Sequence, residues 1–148
     1  MKKIRRLILF LIVIICIISL YSFFYVSGSD IKNIKKLSEK CVVTVIISND
    51  NVDKEQEYIL NAEQKEELKQ LLLNTKYTRR MSNTIIGVLP ENSYTVLADW
   101  NDNGKTRLYA KILGGEYIQF SRKKGISNFM KINENEFEMQ LKEIIEIP

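Results

Sequence analysis

The chain opens on its longest apolar stretch. Leu7 to Val26 is a run of 20 residues without a charge, and 15 of them are Leu, Ile, Val or Phe. As a helix, such a run spans about 30 Å, the thickness of a bilayer's hydrocarbon core. At about −0.4 kcal/mol for each such residue, insertion is favoured by roughly 6 kcal/mol. Lys2, Lys3, Arg5 and Arg6 precede the run and predict an N-in, C-out orientation. Lys32, Lys35, Lys36 and Lys40 on the far side reduce that asymmetry. Tyr21, Phe23, Phe24 and Tyr25 are expected at the outer interface as an aromatic belt. An uncleaved anchor is the expected role, because a typical secretory apolar core is only ~7–15 residues long. Cleavage after Gly28, leaving Ser29 first, is the alternative. Lipoprotein processing at Cys16 is disfavoured, since the bulky Ile15 precedes it.

Beyond the run the pattern changes period several times. Ser27-Gly28-Ser29-Asp30 reads as a flexible break. Ile31, Ile34 and Leu37, spaced by three, predict a short helix on the membrane face or capping the domain. Cys41 to Ser48 is β-branched and apolar on both faces, as in a central strand. A turn at 49–51 leads to a return strand from Glu55 to Leu60. Asn61, with Gln64 three residues on, predicts a capped helix over 62–74 whose stripe is Leu68, Leu71 and Leu72. Lys76 to Met81 reads as a strand, and Ser82 to Asn92 as a loop or short irregular strand. Alternation then predicts a meander over 93–100, 106–113 and 116–121, with turns at 101–104, 114–115 and 122–125. A last strand is expected over 128–132. Asn133, with Glu136 as partner, predicts the cap of a final helix over about 134–146, with Phe137, Leu141, Ile144 and Ile145 on one face.

This order predicts an α+β fold, a mainly antiparallel sheet with both helices packed on one face. The expected organisation is an anchor over 1–29, a connector over 30–40 and one domain over 41–148. The sheet's other face would carry Arg107, Tyr109, Lys111, Tyr117 and Gln119. An antiparallel sheet can leave one face wet, and this polar-aromatic set is the expected interaction surface.

Charge removes one class of partner. The whole chain is formally +4. The first 29 residues hold four of the 22 Lys and Arg and none of the 18 Asp and Glu, so the rest is balanced at 18 of each. The basic surplus belongs to the anchor, and nucleic acid is not an expected partner. The 119 residues after it suffice for one domain with its own core.

Candidate chemistry is sparse. Asp99-Trp100-Asn101-Asp102-Asn103-Gly104 matches the opening of a calcium loop, but the bidentate acidic ligand should then fall at Ala110. A hairpin turn is the expected reading, and no metal or other cofactor is expected. The chain has no His, which excludes a His general base, a His triad and a His-ligated metal. No nucleophile-elbow or P-loop motif is present. Two basic knots, Lys76 with Arg79 and Arg80, and Arg122 with Lys123 and Lys124, could hold an anionic polymer, phosphate or lipid headgroup if adjacent. The balanced total favours ordinary solvated charge instead. Trp100 and Cys41 are both expected in the core.

The basic start and apolar run, the Glu-Lys-Leu helix at 62–74, the Gly-Gly-Glu-Tyr hairpin at 114–117 and the C-terminal helix together resemble the small single-pass, extracytoplasmic proteins of Gram-positive bacteria whose function is uncharacterised. That resemblance implies a domain facing the cell exterior and assigns no residue a role. The expected function is a non-catalytic binding module at the cell envelope, held in the bilayer through residues 7–26 and engaging an envelope protein or ligand. A His-free envelope enzyme, and a small accessory or immunity-type subunit acting through its helix, are the alternatives.

Overall fold

The computed structural model describes residues 2–37, 40–49, 52–80, 90–100, 107–122, 125–126 and 128–146. The apolar run forms helix α1, Lys2–Phe24. None of its 21-residue apolar span, Ile4–Phe24, is buried in the rest of the protein, and it is long and apolar enough to cross a membrane.

The chain then passes straight into strand β1, Tyr25–Ser27. This strand pairs antiparallel with β4, Lys76–Arg79, in the register Tyr25↔Thr78, Val26↔Tyr77 and Ser27↔Lys76. Residues 27–30, expected as a flexible break, are instead fixed. The Ser27 side chain caps a 3₁₀ turn over Gly28–Asp30, and Asp30 accepts from the Ser27 amide at 3.3 Å. The Gly28 amide donates to Thr75 O at 3.0 Å. The physical reason is close approach, since a Cβ on Gly28 would lie 1.8 Å from Leu72 O. The short helix α2, Lys32–Lys35, follows, and Ile34 and Leu37 are fully buried. The folded unit therefore begins at Tyr25, inside the stretch expected as anchor, and absorbs buried residues of the expected connector.

The remaining elements are β2 (Val42–Asn49), β3 (Val52–Ile59), helix α3 (Ala62–Asn74), β5 (Asn92–Asp99), β6 (Arg107–Leu113), β7 (Tyr117–Arg122), β8 (Gly125–Ile126), β9 (Met130–Ile132) and helix α4 (Phe137–Ile145). The fold is α+β. Eight strands pair in the order β1-β4-β9-β7-β6-β5-β2-β3, all antiparallel, and β8 adds to β7. Among the described residues, the short β9 alone joins the β1–β4 pair to the meander. Alternation sends Val43, Val45, Tyr94, Val96, Leu108, Ala110, Ile112, Ile118 and Phe120 into the core. Leu68, Leu71 and Leu72 of α3 and Phe137, Leu141, Ile144 and Ile145 of α4 join the same buried cluster.

Helix α3 is capped as its sequence predicts. Asn61 Oδ1 accepts from the Gln64 amide at 3.0 Å, and Gln64 Oε1 accepts from the Asn61 amide at 3.0 Å. Helix α4 starts three residues later than expected. Asn133 does not cap it, because its amide donates to Lys76 O at 3.0 Å and its side-chain amide donates to Thr78 Oγ1 at 3.0 Å. Asn133 thus extends the sheet, and Glu136 takes the cap position without a side-chain bond. The Gly114–Glu116 loop closes the Leu113↔Tyr117 pair, with both glycines at positive φ, so the hairpin loop holds three residues rather than two. The expected turns at 50–51, 101–104 and 123–124 and the loop at 82–89 lie outside the described residues.

Candidate functional site

The antiparallel register decides what shares a face. Lys111 pairs with Gln119 and with Thr95, Thr95 pairs with Ile46, and Ile46 pairs with Glu57. The next row toward the α1 end runs Ile59, Thr44, Leu97, Tyr109. The row on the other side runs Leu113, Tyr117, Lys131, Thr78, Tyr25. Tyr109, Lys111, Tyr117 and Gln119 therefore lie on one face, opposite the core, and each is half-buried. The Tyr109 amide donates to Ser121 Oγ at 3.2 Å. Arg107 pairs through its backbone with Asp99, and its side chain lies outside the described residues.

Sequence reading missed two contributors to this face. Ile59 is 74% exposed, Val42 46% and Leu97 38%, which makes an apolar patch beside Tyr109. Val42 and Leu97 occupy the outward phase of their strands; the apolar character of both phases of β2 obscures Val42, whereas Leu97 stands in a phase otherwise made of Ser93, Thr95 and Asp99 and was legible. Arg80 is the second, its guanidinium carbon lying 4.9 Å from the Tyr117 ring centroid. That contact depends on β9 lying between β4 and β7, which local sequence does not encode.

The first expected basic knot is split, and of the second the side chain of Arg122 and both Lys123 and Lys124 lie outside the described residues. Lys76 starts β4 opposite Ser27, whereas Arg79 ends it, beside α1. The Arg79 guanidinium carbon lies 5.3 Å from the centroid of the Phe23 ring in the last turn of α1. Antiparallel pairing places the ends of β4 and β7, at Arg79 and Arg122, on the side of the sheet where α1 enters. Trp100, half-buried against the core, donates from Nε1 to Lys36 O at 3.0 Å, and Cys41 is buried.

Two cavities bear on chemistry. One, of about 500 Å³, lies between α3 and α4 and is lined by Glu67, Glu134 and Glu143 among other residues. Another, of about 360 Å³, runs beside β1 from Tyr21 and Ser22 to Asp30 and Lys76. Among the described residues no group of three His, Cys, Asp or Glu is placed to hold a metal ion. The calcium-like loop falls mostly outside the described residues.

The most developed polar cluster lies elsewhere. Tyr94 Oη donates to Glu138 Oε1 at 2.7 Å, and Lys142 Nζ lies 3.2 Å from the same oxygen. Burial, with the Glu138 bond and charge adding to it, pushes the Tyr94 phenol well up. Burial alone would raise Glu138. Hydrogen bonds from Tyr94, Lys142 and Asn92 and the Lys142 charge outweigh it and hold the carboxyl below its ordinary value. A phenol pushed up and a carboxylate pushed down both move away from neutrality, the opposite of what proton transfer at neutral pH requires. The cluster ties β5 to α4, and neither cavity is lined by it.

No protein-family model matches the chain, and no match was found among curated proteins or solved structures.

Proposed function

We propose that this chain is a membrane-anchored, non-catalytic binding module of the cell envelope, and that its open sheet face docks a protein partner on the extracytoplasmic side. The observation that carries the reading is the direct passage of an unburied 21-residue apolar helix into an edge strand of the folded sheet. Such a helix fits the hydrocarbon core. The basic residues before it favour an N-in, C-out orientation. We infer further that α3 and α4 cover the same, inner face, because their buried residues join one cluster with the inward rows of the sheet. The outer face then stays free. Its tyrosines and Arg80 are residue types enriched at interfaces, and the exposed aliphatic patch adds apolar area to bury. The opposed shifts of Tyr94 and Glu138 support a structural rather than a catalytic use of that pair.

The test is photo-cross-linking in intact cells from a reactive analogue placed at Tyr109, with Glu63 on α3 as the comparison, together with protease shaving of a C-terminal tag. Adducts at Tyr109 and none at Glu63, with the tag removed from outside, are expected. Equal labelling at both positions, or a tag protected until lysis, overturns the docking face or the exterior orientation respectively.

A further inference from the structure

Arg79 and the end of β7 at Arg122 lie at the end of the sheet where α1 enters. The connection at the opposite end of β7 carries Glu116, and the segment after β9 carries Glu134 and Glu136. Asp99, at the end of β5, lies at the same end as Arg79, and Lys76 starts β4 at the opposite one, so Arg79 is set apart by its neighbour and not by an excess of charge.

One of these cations has a fixed height. Phe23, over which Arg79 sits, packs edge-on against Phe24 at 5.4 Å, and in the same stretch of chain the rings of Tyr21 and Tyr25 stack at 4.4 Å. Exposed aromatic residues ending an apolar helix mark the interface between hydrocarbon and headgroups. The ring beneath the guanidinium thus holds it at headgroup depth. A planar guanidinium there matches a phosphate with two parallel hydrogen bonds. Fixed height and charge complementarity both specify the occupant.

We propose that Arg79, held on Phe23, binds the phosphate of an anionic phospholipid, and that this contact sets the domain against the bilayer. The proposal rests on α1 being the membrane segment, and it adds a specific lipid site to that reading. The contact would turn the domain about the α1 exit into one orientation, with the open face presented at a constant angle to the membrane.

The test uses full-length protein in vesicles of phosphatidylcholine with one-fifth phosphatidylglycerol. Electron spin resonance reads the immobilised fraction of spin-labelled phosphatidylglycerol against spin-labelled phosphatidylcholine. Arg79→Gln is expected to lower the preference for the anionic lipid about fivefold, the ratio that ~1 kcal/mol per surface cation supplies. Arg79→Lys is expected to lower it less, and Lys76→Gln, at the other end of β4, to leave it unchanged. Phe23→Leu keeps the charge and removes the ring, and it is expected to reduce the preference as well, which covers the case in which Arg79→Gln does not fold. An unchanged preference in folded Arg79→Gln, or in Phe23→Leu, overturns the site. Immobilisation of both lipids to the same degree by the wild-type protein also overturns the site and leaves the anchor standing. Immobilisation of neither refutes the anchor, and the site with it.

Discussion

Gly28 has no room for a methyl group. The obstruction is backbone, Leu72 O and its carbonyl carbon, so no side-chain rotation relieves it. Gly28→Ala is expected to lower stability by about 1–3 kcal/mol, as overpacking does. Ser29→Ala, exposed one residue on, should be nearly neutral. Denaturant unfolding of the full-length protein in detergent checks both. Glu138 sets a second expectation at this scale. Its pKa is lowered on folding, so its contribution is present above the unfolded value of ~4.3 and is lost as pH falls through the folded value. Tyr94 works in reverse. Its pKa is raised, so its contribution is present below ~10 and is lost as pH rises through the folded value. Glu138→Gln should flatten the acid limb of the stability–pH curve measured by thermal unfolding. An acid limb identical to wild type would refute that assignment.

At the scale of elements, two asparagines with the same sequence signature do different work. Asn61 caps α3, and Asn61→Ala should cost about 1 kcal/mol. Asn133 ties the end of β9 to β4, so Asn133→Ala should leave helix content untouched while loosening the β4–β9 pair. Far-ultraviolet circular dichroism beside amide exchange at Thr78, which faces Lys131 of β9, separates the two. The contrast explains what the sequence could disclose. The α3 box is local, its partners three residues apart, and nothing distant competes. Asn133 carries the same signal, but Lys76 and Thr78, more than fifty residues earlier, claim its hydrogen bonds. Strand β1 was hidden for a similar reason. Tyr25-Val26-Ser27 closes an apolar helix run, and only β4 makes it a strand. The outward phase of Tyr109, Lys111, Tyr117 and Gln119 was legible because alternation is a property of each strand alone. The arrival of Arg80 and Ile59 beside them was not, because it depends on which strands become neighbours.

At the scale of the molecule, the apolar helix α1 and the folded body meet at a boundary strand. Cleavage after Gly28 would remove β1 and with it Val26, a member of the core. A fragment of residues 25–148 should therefore be more stable than one of residues 29–148, by at least the ~1.5 kcal/mol that burying a Val supplies. Parallel urea unfolding of the two fragments tests this. Equal stability would mean that the strand contributes nothing, and processing at that bond would then leave the fold intact.

The narrow link through β9 also orders events during synthesis. The chain emerges N-terminus first, so α1 and β1 are made long before the strand that completes their side of the sheet. Between the end of β4 and the start of β9 lie about fifty residues, ~3–10 s of translation at ~5–20 residues per second. Through that interval β4 waits for β9, while β5, β6 and β7 are made after the finished β2–β3 hairpin. The two halves of the sheet can join only once Met130–Ile132 is available, with the 3 residues of β9 then pairing with β4 and β7 at once. A ribosome stalled before residue 130 would hold a chain with two unfinished edges, on β4 and β7, each a template for pairing with a strand of another molecule.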